Sequence, residues 1–113
     1  MSRVWQRGDI VVADLNPTLG HEQQGRRPAI VVLQAALNRL GMIGVCPFTQ
    51  GGQSARHVGM AVPLTGAGLQ TAGVVLVHQF CMIDPAVRRL SLVETAPDYL
   101  SEEVRARVAA LLD

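Results

Sequence analysis

The sequence has no lysine: its ten basic side chains are all arginine, against nine acidic ones, and the net charge is +1. No global field therefore draws the chain to nucleic acid. A G+C-rich genome accounts for the choice of arginine. Its consequence is that each basic side chain can grip a phosphate in a bidentate way. There are only two cysteines, Cys46 and Cys81. Two isolated thiols do not make a disulfide framework. Both sit in apolar sequence, so buried, reduced thiols are expected. Hydrophobic residues make up 49% of the chain, yet no apolar run approaches the roughly 20 residues of a membrane helix. The start, Met1-Ser2-Arg3-Val4-Trp5-Gln6-Arg7-Gly8, has no apolar signal region, so a cytoplasmic protein is expected. There is no repeat, low-complexity tract or linker. Residues 1–113 are expected to form a single domain around one core. No spacing of His, Cys, Asp or Glu matches a metal-ligand pattern, and no cofactor is expected.

What is present is a series of short apolar runs. Ile10–Ala13, Ala29–Leu33, Met42–Phe48, Gly59–Leu64, Gly73–Gln79 and Arg88–Thr95 are predicted strands, rich in Val and Ile. Pro28 belongs at a strand start. Ala35–Leu40 is predicted to form one helical turn stopped by Gly41. Thr65–Ala72 is a Gly-rich turn region. Asp84 and Pro85 read as the cap and first position of a helical turn. After Pro97 the period changes. Leu100, Val104, Val108, Leu111 and Leu112 form the stripe of an amphipathic helix. The expected fold is mainly β (α+β), a small SH3-like β-barrel with a C-terminal helix.

The chemistry is concentrated between Gly20 and Pro28, where Gly20-His21-Glu22-Gln23-Gln24-Gly25-Arg26-Arg27-Pro28 links two apolar runs. A simple turn needs only a few residues such as Asn, Asp, Gly or Pro. This segment holds groups that move protons and groups that hold phosphate. RNA carries its own nucleophile, the 2′-OH. Cleavage needs a base for it, an acid for the leaving 5′ oxygen, and a cation for the charge on phosphorus. Arg26 and Arg27 are candidate cations; His21 and Glu22 are candidate acid or base. Thr49-Gln50-Gly51-Gly52-Gln53-Ser54 is a second polar loop, offering a hydroxyl and carboxamides, with Arg56 close behind. His78 and Gln79 are consecutive polar residues on a predicted apolar strand, so at least one should reach a cleft or interface. The plain alternatives are a solvated loop for His21-Glu22, an ion pair of Arg27 with Asp14 or Glu22, and a packed His78.

In order along the chain, Arg7-Gly8-Asp9-Ile10-Val11, Asp14-Leu15-Asn16-Pro17-Thr18, Gly20–Gly25 and Arg27-Pro28-Ala29 closely resemble the N-terminal signature of the MazF/PemK toxins. Cys46-Pro47-Phe48-Thr49-Gln50-Gly51-Gly52 with Ala55-Arg56 resembles the second signature of the Kid/ChpB-like branch, and Gly73–Gln79 with Ile83-Asp84 the third. The resemblance implies a CcdB/MazF-like fold, a homodimer, and an endoribonuclease toxin of a type II toxin–antitoxin system. Such a toxin cleaves single-stranded mRNA at specific sequences, without a metal, leaving 2′,3′-cyclic phosphate and 5′-OH ends. It also implies a cognate MazE/PemI-like antitoxin. Carried over by position, Arg27 matches the phosphate-binding arginine, Thr49 the active-site threonine, and His21 and Glu22 the first-loop pair. With His78 these are the expected catalytic residues. Asn16, Thr18, Gln23, Gln24, Arg26, Gln50, Gln53, Arg56 and Gln79 are the expected RNA contacts. One departure stands out. Kid-like members have Arg and Asp where this chain has Leu76 and His78; ChpB-like members also have aliphatic residues there, followed by Asn. The rival readings are a gyrase poison of the same fold, which would lack the Arg27–Thr49 pair, and a non-cleaving RNA- or antitoxin-binding module.

Overall fold

Three strands are apolar on both faces, and this decides the layering. The computed structural model describes residues 3–15, 26–49 and 60–113. In β1 (Asp9–Ala13), β2 (Arg27–Val31) and β3 (Ile43–Thr49), alternate residues enter two different cores. Ile10, Ile30, Cys46 and Phe48 pack on one face. Val11, Ala13, Ala29, Val31, Ile43 and Val45 pack on the other. A strand buried on both sides reads as a continuous apolar run, which is how these appear in the sequence.

The first face is covered by the C-terminal helix α2 (Asp98–Ala110), through Leu100 and Val104, with Val108 partly buried against them. The second is covered by Trp5, Leu15 and Leu90. The helical turn α1 (Ala35–Asn38) ends at Gly41, whose φ of 112° is open to glycine at little cost. The expected stripe on α2 outlasts the sheet beneath it: Leu111 and Leu112 are exposed, Leu112 by 86%.

The strand path runs β4-β5-β3-β2-β1-β7, where β4 is Ala61–Pro63, β5 is Val74–Leu76 and β7 is Ser91–Thr95. All strand pairings among the described residues are antiparallel. The free edge of β3 is shared. Its second half pairs with β5 and its first half with β6 (Cys81–Ile83), a strand the sequence reading does not contain. The expected barrel is therefore an open sheet with β4 and β7 at its ends. Those ends are tied by side-chain bonds. Glu94 on β7 accepts hydrogen bonds from the N–H groups of Gln70 and Thr71 and from the Thr71 hydroxyl, in the β4–β5 loop. Burial raises the Glu94 pKa, but these bonds outweigh it and hold the carboxyl below its ordinary value.

Several expected strands are shorter than their apolar runs, β2 ending at Val31 before Leu33 and β4 at Pro63 before Leu64. Gly73–Gln79 stays extended only to Leu76; Val77–Gln79 is a 3-10 turn. The chain must step here from one half of β3 to the other. The Phe80 ring fills the space over Gly44, where an added Cβ would lie 2.7 Å from a ring carbon. His78 and Gln79 are thus both exposed on a turn, and the argument from alternating strand faces does not apply to them. Arg88–Thr95 begins its pairing only at Ser91. Arg88 and Arg89 belong to the turn after Asp84, whose carboxylate accepts from the Ala86 and Val87 N–H groups as the cap reading requires. Cys46 is buried but Cys81 is exposed, because β6 lies at the sheet's edge.

Candidate active site at the Arg27 and Thr49 end of the sheet

Ala13 pairs with Arg27 across β1 and β2, so the candidate loop is joined to the sheet at this end. The β2–β3 register sets Ala29 against Pro47 and Ile30 against Cys46. The paired residues end there, and by the same two-residue alternation Arg27 and Thr49 fall on one face of their strands. Thr49 is half-buried and is held on its other side by Val74.

The two adjacent arginines have different occupations. Arg26 donates from Nη2 to the Val12 carbonyl at 3.0 Å and to Ser91 Oγ at 2.9 Å, and its Nη1 lies 3.9 Å from Asp14 Oδ1. It is tied to the ends of β1 and β7. Arg27 is exposed and has no hydrogen-bond or ion-pair partner among the described residues. The alternative pairing of Arg27 with Asp14 is not formed: Asp14 is taken by Arg26 and, at 3.3 Å, by Arg89 Nε. Arg88 adds a bond from Nη1 to the Asp14 carbonyl, and its own carbonyl accepts from the Asp14 N–H at 2.9 Å. Arg88 and Arg89 carry no motif that singles them out in the sequence. Nothing local in the sequence joins them to Asp14, 74 residues before Arg88.

His78 and Gln79 lie further off. Val74 faces Thr49 and the chain then runs away from it, so His78 is on the order of 10 Å along the strand direction from Thr49. The remaining candidates, Asn16, Thr18, His21, Glu22, Gln23, Gln24, Gln50, Gln53 and Arg56, lie outside the described residues. The cysteines are poor nucleophiles. Burial, with the Cys81 thiol beside it, pushes Cys46 up to about 12. Burial also raises Cys81, partly offset by the Arg88 guanidinium.

An exposed guanidinium on the same sheet face as a hydroxyl can bind a phosphodiester and stabilise charge that develops on it. The chain is 44% identical over 110 residues to the endoribonuclease toxin ChpB of Escherichia coli K12, covering 96% of this chain and 95% of that protein. It is 43% identical to the Escherichia coli endoribonuclease PemK, covering 95% and 81%. Among solved structures, MazF from Deinococcus radiodurans matches with a TM-score of 0.81 at 35% identity, over 98% of each chain. MazF in a MazE–MazF crystal from the same organism matches with a TM-score of 0.82 at 34% identity, over 98% and 97%. Residues 6–112 match the family described as the PemK-like, MazF-like toxin of type II toxin–antitoxin systems, and the chain belongs to that family.

Proposed function

We propose that residues 1–113 act as one toxin domain that cuts single-stranded RNA without a metal. The observation that carries this is Arg27, exposed and unpartnered among the described residues, on the same alternating face of the β2–β3 pair as Thr49. The substrate 2′-OH loses its proton to a base and attacks phosphorus. Arg27 neutralises the added charge, with Thr49 donating to a phosphate oxygen. The bond from phosphorus to the 5′ oxygen breaks, and an acid protonates that oxygen. The products are a 2′,3′-cyclic phosphate and a 5′-OH. His21, Glu22 and His78 are the groups for the two proton transfers. Arg26, already bonded to Val12, Ser91 and Asp14, serves to anchor the loop end beside Arg27.

The partners follow from the same family membership. A cognate antitoxin is supported by the MazE–MazF crystals among the structural relatives. A homodimer is supported by apolar side chains that the chain leaves uncovered, Leu37, Leu40, Met42, Leu111 and Leu112 among them. No helix among the described residues is long and apolar enough to cross a membrane, which supports a cytoplasmic site of action. The test is cleavage of a single-stranded RNA in EDTA with analysis of the new ends. Cyclic phosphate and 5′-OH ends are expected. Cleavage that stops in EDTA and returns with magnesium overturns the mechanism.

A further inference from the structure

We propose that Arg89, beside Asp14, holds a second phosphate of the RNA strand beside the one gripped by Arg27. The proposal rests on the ribonuclease reading above and extends it to a residue far away in sequence.

Three arginines meet Asp14 just after β1, Arg26 and Arg89 at its carboxylate and Arg88 at its carbonyl, and Arg27 pairs with Ala13 beside it. Among the described residues the carboxylate bonded within this group is that of Asp14. The result is a local excess of positive charge on a chain whose net charge is only +1. The four are not equivalent. Arg26 and Arg88 are turned inward onto Val12, Ser91 and the Asp14 backbone. Those bonds fasten the 85–89 turn to the end of β1, next to the residue that pairs with Arg27. Arg89 is turned outward, with 67% of its side chain exposed. Its nearest approach to Asp14 is from Nε, 3.3 Å from Oδ2. With Nε toward the Asp14 carboxylate, the Nη1–Nη2 edge of this largely exposed side chain can take a bidentate anion.

The backbone adds an independent sign. Arg89 has φ 55°, the only positive value among the described non-glycine residues. Gly or Asn fits such a turn position with less strain. A long cationic side chain kept there, and kept outward, is what a contact with a ligand requires. Phosphate is the ligand that matches a planar fork beside a second free guanidinium.

The experiment measures binding of a 2′-O-methylated single-stranded oligonucleotide, which lacks the attacking hydroxyl, from 50 to 300 mM salt. Arg89→Gly removes the guanidinium and relieves the positive φ, so its melting temperature should equal or exceed that of the wild type. Its affinity at low salt should fall roughly tenfold, the scale of a hydrogen bond to a charged group. Its slope of log affinity against log salt should shrink by about 0.7, the share of one phosphate on a single strand. Arg89→Lys should recover the slope but only part of the affinity. An Arg89→Gly protein with wild-type affinity and slope overturns the proposal, as does one that loses only antitoxin binding. Cleavage plays no part in this measurement. Failure of the ribonuclease reading would instead appear as wild-type protein leaving unmodified RNA intact.

Discussion

The two ends of the β2–β3 pair are built differently. At the Val31–Val45 end two contacts close the fold, although Leu37, Leu40 and Met42 stay exposed beside them. Asn38, at the end of α1, is buried and donates from Nδ2 to the Trp5 carbonyl at 2.7 Å and the Leu33 carbonyl at 2.9 Å. Phe80 fills the space over Gly44. At the Arg27–Thr49 end the core stops, side chains turn polar, and guanidiniums crowd around one carboxylate. One end spends its polar groups on the fold. The other keeps Arg27 and the outer edge of Arg89 unspent.

The largest effect expected is on chemistry at the open end. Arg27→Ala should slow single-turnover RNA cleavage by about two orders of magnitude or more, the scale of one charge partner in a transition state. Its thermal stability should not change, since Arg27 bonds to nothing in the described fold. The closed end should respond in the opposite sense. Asn38→Ala strands two carbonyls and should cost about 2–3 kcal/mol in chemical denaturation, with the cleavage rate of the folded fraction kept. Gly44→Ala forces Phe80 aside and should cost about 1–3 kcal/mol. Because Phe80 follows the Val77–Gln79 turn, this variant also reports on His78. If His78 takes part in proton transfer, the rate should fall along with the stability.

The smallest effect concerns the tie between the sheet's two edges. The folded-state pKa of Glu94 is lowered, so its contribution to stability is present above the unfolded glutamate value of about 4.3 and is lost as pH falls through the folded value. Glu94→Gln should lose that pH dependence. Its stability should fall less steeply than the wild type's below about pH 5, measured by urea denaturation. At neutral pH the loop around Gln70 and Thr71 should exchange amide hydrogens faster in the variant. An unchanged acid limb would mean that the loop is held by its own turns.

Much of this plan is legible in the sequence where burial leaves a pattern. Strands buried on both faces read as unbroken Val and Ile runs, the α2 stripe recurs at helical spacing, and Gly41 and Asp84 mark their turns. Features set by distant partners are not legible. The step at Val77–Gln79 arises because β3 shares its edge between β5 and β6, which no local propensity encodes. Arg26 and Arg27 are identical neighbours in the sequence. Only the fold, by bringing Ser91 to Arg26 across 65 residues, gives them separate tasks. That Arg27 and Thr49 share a face depends on the β2–β3 register, although the motifs that contain them stand out in the chain.

The division between the two arginines is the central claim, and one paired measurement tests it. Single-turnover cleavage in EDTA and melting temperature are determined for Arg26→Ala beside Arg27→Ala. The account predicts opposite signatures. Arg26→Ala should lose about 1 kcal/mol of stability with its lost bonds to Val12 and Ser91 and keep its rate within tenfold. Arg27→Ala should keep its melting temperature and lose at least about a hundredfold in rate. An Arg27→Ala protein that cleaves within threefold of the wild type would contradict the account.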